Sequence, residues 1–279
     1  MQKFDLHLHT THSDGELSPE ELIDIAFDLG LSGVAITDHD CVSAIEIAKN
    51  HILDKNYNNF ELIPGIEFGT TYNHDEIHIL GYFIDYKNKD LLEMIDKLNT
   101  WRFERTYKII DKLNKVGIEI YPEDIIDENS NFTGRVDIAK EMLKKGYVTS
   151  ISEAFEKYIG IGNSCYVEKN TLTVEEIINV IKNAGGVSVL AHPILIKNYK
   201  SFEHVINSGI DGIEYIHSKQ SITDSITLKN YALNKELILT GGSDCHGRTH
   251  VKDGELLLGK YYIYSNELDK LRGISNGRK

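Results

Sequence analysis

Histidine and acidic side chains recur along this chain at the points where short apolar runs end. The candidates are His7, His9, Asp14, His39, Glu67, His78, His192, Asp244 and His246. Their nitrogen and oxygen atoms are ligands that suit Zn²⁺, Mn²⁺ or Fe²⁺, and no thiolate is needed among them. We therefore predict a site that binds divalent metal ions through imidazole and carboxylate groups.

The spacing and position of single residues support their assignment as metal ligands. His7 and His9 stand two apart in a predicted strand, so both side chains point to one face and can chelate one metal. Glu67 follows the apolar segment LIPGI, and a carboxylate there can bridge two metals about 3.5–4 Å apart, as in two-metal hydrolases. Taken singly, such residues have ordinary explanations: Asp14 lies in the turn-like segment SDG, and His78 between two isoleucines fits a core histidine. Their recurrence at six or seven strand ends favours the metal site.

The elements that must position these residues alternate between strand and helix. Short β-rich runs, such as residues 33–38, are followed by helical patterns with apolar residues on one face. Two helices begin with a capping box, formed by Ser18 with Glu21 and by Thr173 with Glu176. About seven strand–helix alternations imply a parallel sheet, and seven strands suit a closed or nearly closed barrel. The carboxyl ends of barrel strands converge on one face, and the candidate ligands fall at those ends.

The alternation is interrupted once. From about residue 89 to residue 158 the pattern is mostly helical, and the strand–helix rhythm then resumes. We therefore predict an α/β barrel formed by residues 1–95 and 172–279, with a mostly helical inserted domain at residues 96–171 that caps the active site.

Charge narrows the range of partners. The chain has 279 residues and a formal net charge of −13, which disfavours nonspecific attraction to nucleic acid or to an anionic membrane. We expect no membrane partner and no stable binding of duplex DNA. The inserted segment is nearly neutral, with 12 Lys and Arg against 13 Asp and Glu, so local positive charge can still meet an anionic substrate there.

Cysteine usage and the absence of targeting signals bear on the compartment. Three cysteines occur without a CxxC pair, the amino terminus has no apolar signal region, and no apolar run reaches the length of a membrane helix. A sparse, odd set of cysteines is typical of a reducing compartment. We expect a cytoplasmic protein.

Six motifs carry a resemblance to a known family. DLHLHTTHSDG, TDHD, GIE, EIHILGY, AHP and SDCHG, in this order, resemble the motifs of the polymerase and histidinol phosphatase (PHP) superfamily over nearly the whole chain. TGRVDIAKEMLKKGYV and SEAFEKYIG in the insertion are similar, more narrowly, to its nucleotide phosphatases and 5′-to-3′ exoribonucleases. The resemblance implies a distorted, TIM-like (β/α)7 barrel with a trinuclear metal site.

The resemblance also implies how two or three divalent ions (Mn²⁺, Zn²⁺ or Fe²⁺) would be held. One metal would bind His7, His9, Glu67 and Asp244; a second would bind Glu67, His78 and His192; a third would bind Asp14, His39 and His246. All nine positions carry competent ligands in this chain. Because such metals lower the pKa of a bound water towards about 7, we expect hydrolysis by a metal-bound hydroxide.

Four further residues are singled out around this site. The resemblance implies that Arg135 holds phosphate, a task that suits the paired donors of a guanidinium, although a surface arginine is the alternative. We assign His217 a phosphate contact or proton donation, with a structural histidine as the alternative. Asp40 is a candidate partner of His39 or a proton shuttle. Asp137 stands where related sequences often have His, which bears on substrate preference.

The predicted function is a metal-dependent phosphoesterase that hydrolyses phosphate monoesters of nucleotides, of the AMP or 3′,5′-bisphosphonucleotide type, or of short RNA 5′ ends. The partner is therefore a phosphorylated small molecule or short RNA. A phosphatase for a small metabolite, such as histidinol phosphate, is the alternative among phosphoesterases. Hydrolysis of a carbon–nitrogen or carboxylic ester bond and a non-catalytic structural domain are the remaining alternatives.

Overall fold

The computed structural model describes residues 2–125, 133–248 and 254–278. They divide into two units, one formed by Met1–Met94 with Leu172–Lys279 and the other by Ile95–Thr171. The described part of the first unit contains an eight-stranded sheet, and the second unit is helical in its described part. That the second unit caps the active site stays a prediction.

The strands occur in the sheet order β7-β6-β5-β4-β3-β2-β1-β8. Their bounds are β1 (Lys3–Asp5), β2 (Gly33–Ile36), β3 (Glu61–Tyr72), β4 (Asp75–Tyr82), β5 (Val187–Leu190), β6 (Gly212–Ile216), β7 (Ile238–Gly241) and β8 (Ile263–Tyr264). The α-helices of the described ranges are α1 (Pro19–Asp28), α2 (Ser43–Asp54), α3 (Lys89–Lys115), α4 (Arg135–Lys144), α5 (Ile151–Ala154), α6 (Val174–Asn183), α7 (Tyr199–Asn207), α8 (Ile222–Asn234) and α9 (Ser265–Asn276).

Strand β4 departs from the expected parallel arrangement. The sheet is parallel from β1 to β3 and from β5 to β7, but β4 runs antiparallel to both β3 and β5. The reason is a two-residue hairpin between β3 and β4, in which Asn73 and His74 both have positive φ, 48° and 68°. Such a turn matches the twist of paired strands and leaves no room for a helix. The sheet is therefore antiparallel at β4, where a parallel sheet was expected.

The sheet nearly closes on itself where the chain beyond β7 meets the chain beyond β1. The Leu6 amide donates to the Gly241 carbonyl (3.3 Å), and the Asp244 amide donates to the His7 carbonyl (2.9 Å). A side chain at Gly242 would collide with the backbone of His7, so this close approach requires glycine. The predicted barrel-like α/β fold is confirmed.

Helices cover the outside of the barrel and begin where the sequence indicates. Both predicted capping boxes are present: the Ser18 and Glu21 side chains cap α1, and those of Thr173 and Glu176 cap α6. Ile23 of α1 is buried in a core cluster that also contains residues of α2, β2 and the segment after β1. None of the helices in the described ranges has the length and apolar character needed to cross a bilayer.

The second unit has its own apolar core. Residues of α3, α4 and the segment that follows them form one buried cluster, which includes Ile109, Leu113, Ile138 and Met142. This cluster buries apolar side chains independently of the barrel, as expected of a unit with a separate hydrophobic core.

A half-buried ion pair fastens the carboxyl-terminal helix to the barrel. Asp211 accepts hydrogen bonds from both guanidinium nitrogens of Arg278 (2.6 and 2.9 Å) and from the amide and hydroxyl of Ser188 (2.9 and 2.8 Å). Burial raises the pKa of Asp211, but the donors of Arg278 and Ser188 outweigh that effect and lower the pKa below its usual value. The carboxylate therefore stabilises the fold while it is ionised.

Substitution of Asp211 is expected to change stability in a pH-dependent way. A carboxyl group whose pKa is lower in the folded chain adds stability above its unfolded pKa of about 3.9, and this is lost as the pH falls through the folded pKa. Asp211→Asn should lower the free energy of unfolding by about 1–3 kcal/mol near neutral pH, because Arg278 loses its partner. Urea denaturation should show this difference shrinking below about pH 4. The control is Asp54→Asn at an exposed position; a pH-independent difference would contradict the proposed ion pair.

Candidate metal centre

The structure brings the nine predicted ligands together at one end of the barrel. They lie in β3 and β4 or in the segments that directly follow β1, β2, β5 and β7. These residues are His7, His9, Asp14, His39, Glu67, His78, His192, Asp244 and His246. Their role as metal ligands stays a prediction, and the geometry below describes what they can do.

Glu67 is the centre of the cluster, and its side chain is almost fully buried in β3. One of its oxygens, Oε2, faces three imidazoles. It lies 3.3 Å from His7 Nε2, 3.2 Å from His9 Nε2 and 3.2 Å from His39 Nδ1.

The other oxygen of Glu67, Oε1, faces two further imidazoles. It lies 3.0 Å from His78 Nδ1 and 3.1 Å from His192 Nε2. Among the described residues, five imidazoles thus converge on one carboxylate. A carboxylate with different partners on its two oxygens has the arrangement needed to bridge two metal ions.

Two aspartates complete the cluster around His9. Asp244 Oδ1 lies 3.4 Å from His7 Nε2 and 3.2 Å from His9 Nε2. Asp14 Oδ1 lies 3.2 Å from His246 Nε2 and 3.7 Å from His9 Nδ1. The His9 ring therefore lies among three carboxylates, with Glu67 and Asp244 at Nε2 and Asp14 at Nδ1.

The candidate ligand atoms fall into groups, and in each group no two atoms are more than 4.8 Å apart. One group is His7, His9, Glu67 and Asp244, a second is His9, Asp14, His39 and His246, and a third is His39, Glu67 and His78. The first group equals the set expected for one metal, and the second contains another expected set plus His9. The third differs from expectation, because His39 stands in place of His192. His192 still contacts the shared carboxylate of Glu67 directly.

Unsatisfied polar atoms test whether metal ions fit this centre. Five buried atoms of the predicted ligands have no hydrogen-bond partner within the described ranges: His7 Nε2, His9 Nδ1, His9 Nε2, Asp14 Oδ1 and Glu67 Oε2. A buried polar atom without a partner costs about 1–3 kcal/mol, so a native protein rarely leaves several in one place. A divalent cation among them would satisfy the nitrogens and oxygens together. The donor set therefore fits divalent metals of the Mn²⁺, Fe²⁺ and Zn²⁺ type.

The carboxylates of this centre raise the pKa of His7 and His9, whereas burial lowers the pKa of His39 to about 4. Burial lowers the pKa of His7, but Glu214, Glu67 and Asp244 together raise it well above its usual value. Burial likewise lowers the pKa of His9, while Asp244 and Glu67 bring it up to about 10. In the protein without metal, these imidazoles supply the positive charge that the carboxylates require.

The Glu67 carboxylate responds in the opposite sense. Burial raises its pKa, but the neighbouring imidazoles of His39, His7 and His78 lower it well below its usual value. The carboxylate is therefore ionised although it is buried. An ionised carboxylate among nitrogen donors is the form that binds a cation.

Three residues at the ends of strands have strained backbones. Asp40, His192 and Asp244 have φ values of 47°, 27° and 54°, in a region that non-glycine residues seldom occupy. Each such conformation costs about 1–3 kcal/mol and persists where the surrounding structure enforces it. Such strain beside a cluster of polar side chains is compatible with a functional site.

Asp40 and His217, the predicted catalytic residues, both lie beside the cluster. Asp40 is buried, and its amide donates to the Glu67 carbonyl (3.0 Å). His217 Nε2 lies 3.2 Å from Asp244 Oδ2, and His217 Nδ1 accepts the Lys219 amide proton (3.1 Å). Because the His217 ring is fully buried, these contacts fit the orientation of Asp244 better than proton donation to a substrate. The catalytic roles of both residues stay predictions.

Arg135 and Asp137 belong to the second unit. The Arg135 guanidinium carbon lies 5.3 Å from the centre of the Phe155 ring and 5.9 Å from that of Tyr166. Asp137 accepts the Gly134 amide proton (2.9 Å) and thereby caps α4. An acidic residue in the first helical turn is favourable, which accounts for Asp137 at this position. The phosphate-binding role of Arg135 stays a prediction.

Two buried aspartates that hold the site were not anticipated. Asp38 accepts hydrogen bonds from the amide and hydroxyl of Thr10 (both 2.7 Å) and from the Ser13 hydroxyl (2.5 Å), which fastens the segment that carries Asp14. Asp5 accepts the Ser243 amide proton (2.9 Å), which joins β1 to the segment after β7. Burial raises the pKa of Asp5 to about 6.

Glu214 is the third unanticipated residue. It lies in β6, and its oxygens contact His7 Nδ1 (3.0 Å) and the His192 amide (2.7 Å). The available signal was an acidic residue inside an apolar strand, here GIEYI. A carboxylate in such a place is costly unless it is paired, so it indicates buried polar partners.

Comparison with known proteins places these features in a family. The sequence model of the PHP domain family matches residues 5–172 of this chain. The 5′-3′ exoribonuclease Rnm of Escherichia coli is 33% identical over 250 residues, which cover 87% of this chain and 85% of the relative. The 3′,5′-nucleoside bisphosphate phosphatase of Chromobacterium violaceum is 27% identical over 256 residues, 88% of each chain. A solved structure from Bifidobacterium adolescentis, classed as a metal-dependent phosphoesterase, has a TM-score of 0.82 at 27% identity and covers 98% of this chain and 96% of its own.

Counting the bound metal ions tests whether Glu67 belongs to two metal positions. Glu67→Gln is expected to reduce the bound metal by more than one ion per chain, because this carboxylate belongs to two of the ligand groups. Asp14→Asn should remove one ion, since its carboxylate belongs to a single group. The measurement is mass spectrometry of metals after dialysis against Mn²⁺, with Asp54→Asn as the control. Equal losses in the Glu67 and Asp14 variants would rule out the bridging position of Glu67.

Proposed function

Because the chain belongs to the PHP domain family, we propose that it is a metal-dependent phosphoesterase that removes phosphate from nucleotides or from the 5′ ends of short RNA. The observation that carries this proposal is the buried Glu67 carboxylate, with three imidazoles on one oxygen and two on the other. Hydrolysis of a phosphate ester is a reaction that bridged metal pairs catalyse, since both the attacking and the leaving oxygen need stabilisation.

The metal content that we propose is two or three divalent ions. His7, His9, Glu67 and Asp244 would hold one, and Asp14, His39 and His246 would hold another with His9 beside them. His78 and His192 would share Glu67 in a further position. When bound, such ions supply positive charge to the phosphate oxygens and lower the pKa of a water molecule. Mn²⁺, Zn²⁺ and Fe²⁺ all suit these ligands.

Residues of the chain would then bind the phosphate ester and stabilise the negative charge on its oxygens. In hydrolysis the water oxygen bonds to phosphorus, the bond from phosphorus to the ester oxygen breaks, and a proton reaches the departing oxygen. The products are inorganic phosphate and an alcohol. Arg135 would bind the nonbridging oxygens, where charge redistributes in the transition state. Asp40 lies next to His39 in sequence, buried at the strand end, and would orient that imidazole or relay a proton.

A cluster of cations and aromatic rings in the second unit supports a nucleotide substrate. Arg105 and Arg135 both face the Tyr166 ring, with guanidinium carbons 5.8 and 5.9 Å from its centre. Guanidinium groups bind phosphates through paired donors, and aromatic rings offer a stacking surface to a base. The two relatives named for a nucleoside bisphosphate and for RNA point to the same class of substrate.

We also propose a reducing compartment such as the cytoplasm. Cys41, Cys165 and Cys245 are all buried, and none of them forms a disulfide within the described residues. Cysteines that are not joined in disulfides are usual where glutathione and thioredoxin keep thiols reduced.

Turnover with defined substrates tests the proposed function. A generic phosphomonoester should be hydrolysed in the presence of Mn²⁺, and a chelator should abolish the reaction. AMP, a 3′,5′-bisphosphonucleotide and a short 5′-phosphorylated RNA should be turned over with higher kcat/KM than histidinol phosphate. A preference for histidinol phosphate would instead support the small-metabolite phosphatase. No turnover of any phosphate ester by metal-loaded protein would contradict the proposal.

Arg135→Ala tests the predicted phosphate contact. Loss of a charge-assisted hydrogen bond should lower kcat/KM for the preferred nucleotide by about 10- to 100-fold, since such bonds contribute about 1.5–3 kcal/mol. Arg135→Lys should recover only part of this, because an ammonium lacks the paired donors. Metal content should match the unmodified protein in both variants. Lys140→Ala on the same helix is the control, and unchanged turnover in Arg135→Ala would refute the contact.

A further inference from the structure

Strand β6 supplies none of the nine predicted ligands. Two side chains, one in β6 and one directly after it, nevertheless contact three of those ligands. We propose that Glu214 in β6 and His217 just after it are positioning residues, which orient His7, His192 and Asp244 for metal binding. The inference rests on the proposed function, because it concerns the same metal centre. It adds Glu214 to the site and gives His217 a role other than proton donation.

Glu214 makes one hydrogen bond with each oxygen. Oε1 accepts from His7 Nδ1 at 3.0 Å, and Oε2 accepts from the His192 amide at 2.7 Å. The side chain is fully buried, so these donors replace water as the partners of the carboxylate. One residue of β6 thereby holds the side chain of one predicted ligand and the backbone of another.

The contact with His7 determines which way its ring faces. A carboxylate oxygen accepts the hydrogen bond that the Nδ1–H of His7 donates, and Nε2 is the nitrogen that faces Glu67 (3.3 Å) and Asp244 (3.4 Å). Metal-binding histidines usually donate their other ring N–H to a carboxylate or carbonyl in this way, which fixes the tautomer and ring orientation. Glu214 therefore prepares Nε2 of His7 for a cation.

The contact with His192 acts through the backbone. His192 has a φ of 27°, a conformation that is unfavourable for a residue with a side chain. The short hydrogen bond from its amide to Glu214 holds the peptide in place, and the ring then reaches Glu67 with Nε2 at 3.1 Å. The carboxylate thus offsets local strain at the point where it helps to aim the imidazole.

His217 repeats this arrangement for Asp244. The Lys219 amide donates to His217 Nδ1 (3.1 Å), so the ring proton lies on Nε2 and is donated to Asp244 Oδ2 (3.2 Å). The other oxygen, Oδ1, then faces His7 and His9. Asp244 also has a strained φ of 54°, and the imidazole fixes the rotation of its carboxylate.

Sheet order explains why one strand can serve three ligands. β6 lies between β5 and β7, and these two strands lead directly to His192 and Asp244. The segment after β7 pairs with the segment after β1, which brings His7 to the same place. A side chain at the end of β6 is therefore within reach of all three.

Direct metal binding tests this inference without relying on turnover. Chelator-treated protein is titrated with Mn²⁺ by calorimetry for the unmodified chain, Glu214→Gln, His217→Ala and His217→Gln. Loss of a partner of a metal ligand typically weakens metal affinity by about 10- to 100-fold. We expect a loss in that range for Glu214→Gln, because the amide offers a donor where an acceptor is needed. His217→Ala should lose affinity likewise, and His217→Gln should recover part of it, because its amide can donate to Asp244.

The dependence of turnover on Mn²⁺ separates positioning from catalysis. For Glu214→Gln and His217→Ala, we expect activity to require more Mn²⁺ and to return to within a few-fold of the unmodified protein at saturation. A residue that acts on the substrate would leave kcat low at any Mn²⁺ concentration. The control is Glu236→Gln, the same chemical change at an exposed position, and it should leave Mn²⁺ affinity unchanged.

The outcomes distinguish this inference from the proposed function. If the unmodified protein binds Mn²⁺ and both Glu214→Gln and His217→Ala bind it equally well, the positioning role is overturned while the metal centre stands. If kcat of His217→Ala stays low at saturating Mn²⁺, His217 acts on the substrate and its positioning role is overturned. If the unmodified protein binds no Mn²⁺, the proposed function fails first. Should Glu214→Gln not fold, Glu214→Asp and the His217 variants carry the same test.

Discussion

One buried carboxylate governs the organisation of this protein. Glu67 is buried at the centre of one end of the barrel, and its negative charge requires positively charged or hydrogen-bonding partners. Five imidazoles from the part of the chain that the structure describes surround it. Their crowding leaves several nitrogens and oxygens without hydrogen bonds, an arrangement that the proposed divalent cations would satisfy. The proposed chemistry follows from this local need for positive charge.

The barrel brings the imidazoles and carboxylates together by placing the ends of several strands side by side. Closure between the segments after β1 and β7 places His7 and His9 beside Asp244 and depends on the small size of Gly242. The hairpin of β3 and β4 contributes in a different way, since antiparallel pairing brings His78 to Glu67 within one ribbon. The hairpin register sets His78 opposite Gly69, two residues from Glu67, and its ring reaches the carboxylate.

Around the predicted ligands lies a layer of buried acids that hold them. Asp5, Asp38 and Glu214 accept hydrogen bonds from backbone amides, hydroxyls or an imidazole, and each joins segments far apart in sequence. Their donors offset part of the cost of burying these carboxylates, although burial still raises the pKa of Asp5. They account for the precision of the site, since a ligand whose ring or backbone is free to rotate binds metal more weakly.

The amino-acid sequence by itself determined the barrel class, the two capping boxes and the set of nine candidate ligands. These features depend on spacing, strand periodicity and the chemistry of imidazole and carboxylate groups, all of which are local. Tertiary structure alone decided the direction of β4, the grouping of His39 with Glu67 and His78, and the role of Glu214. The Glu214 contact with His7 joins residues 207 positions apart. No local pattern encodes such a pairing, because it exists only once the barrel has closed and both groups have lost their water.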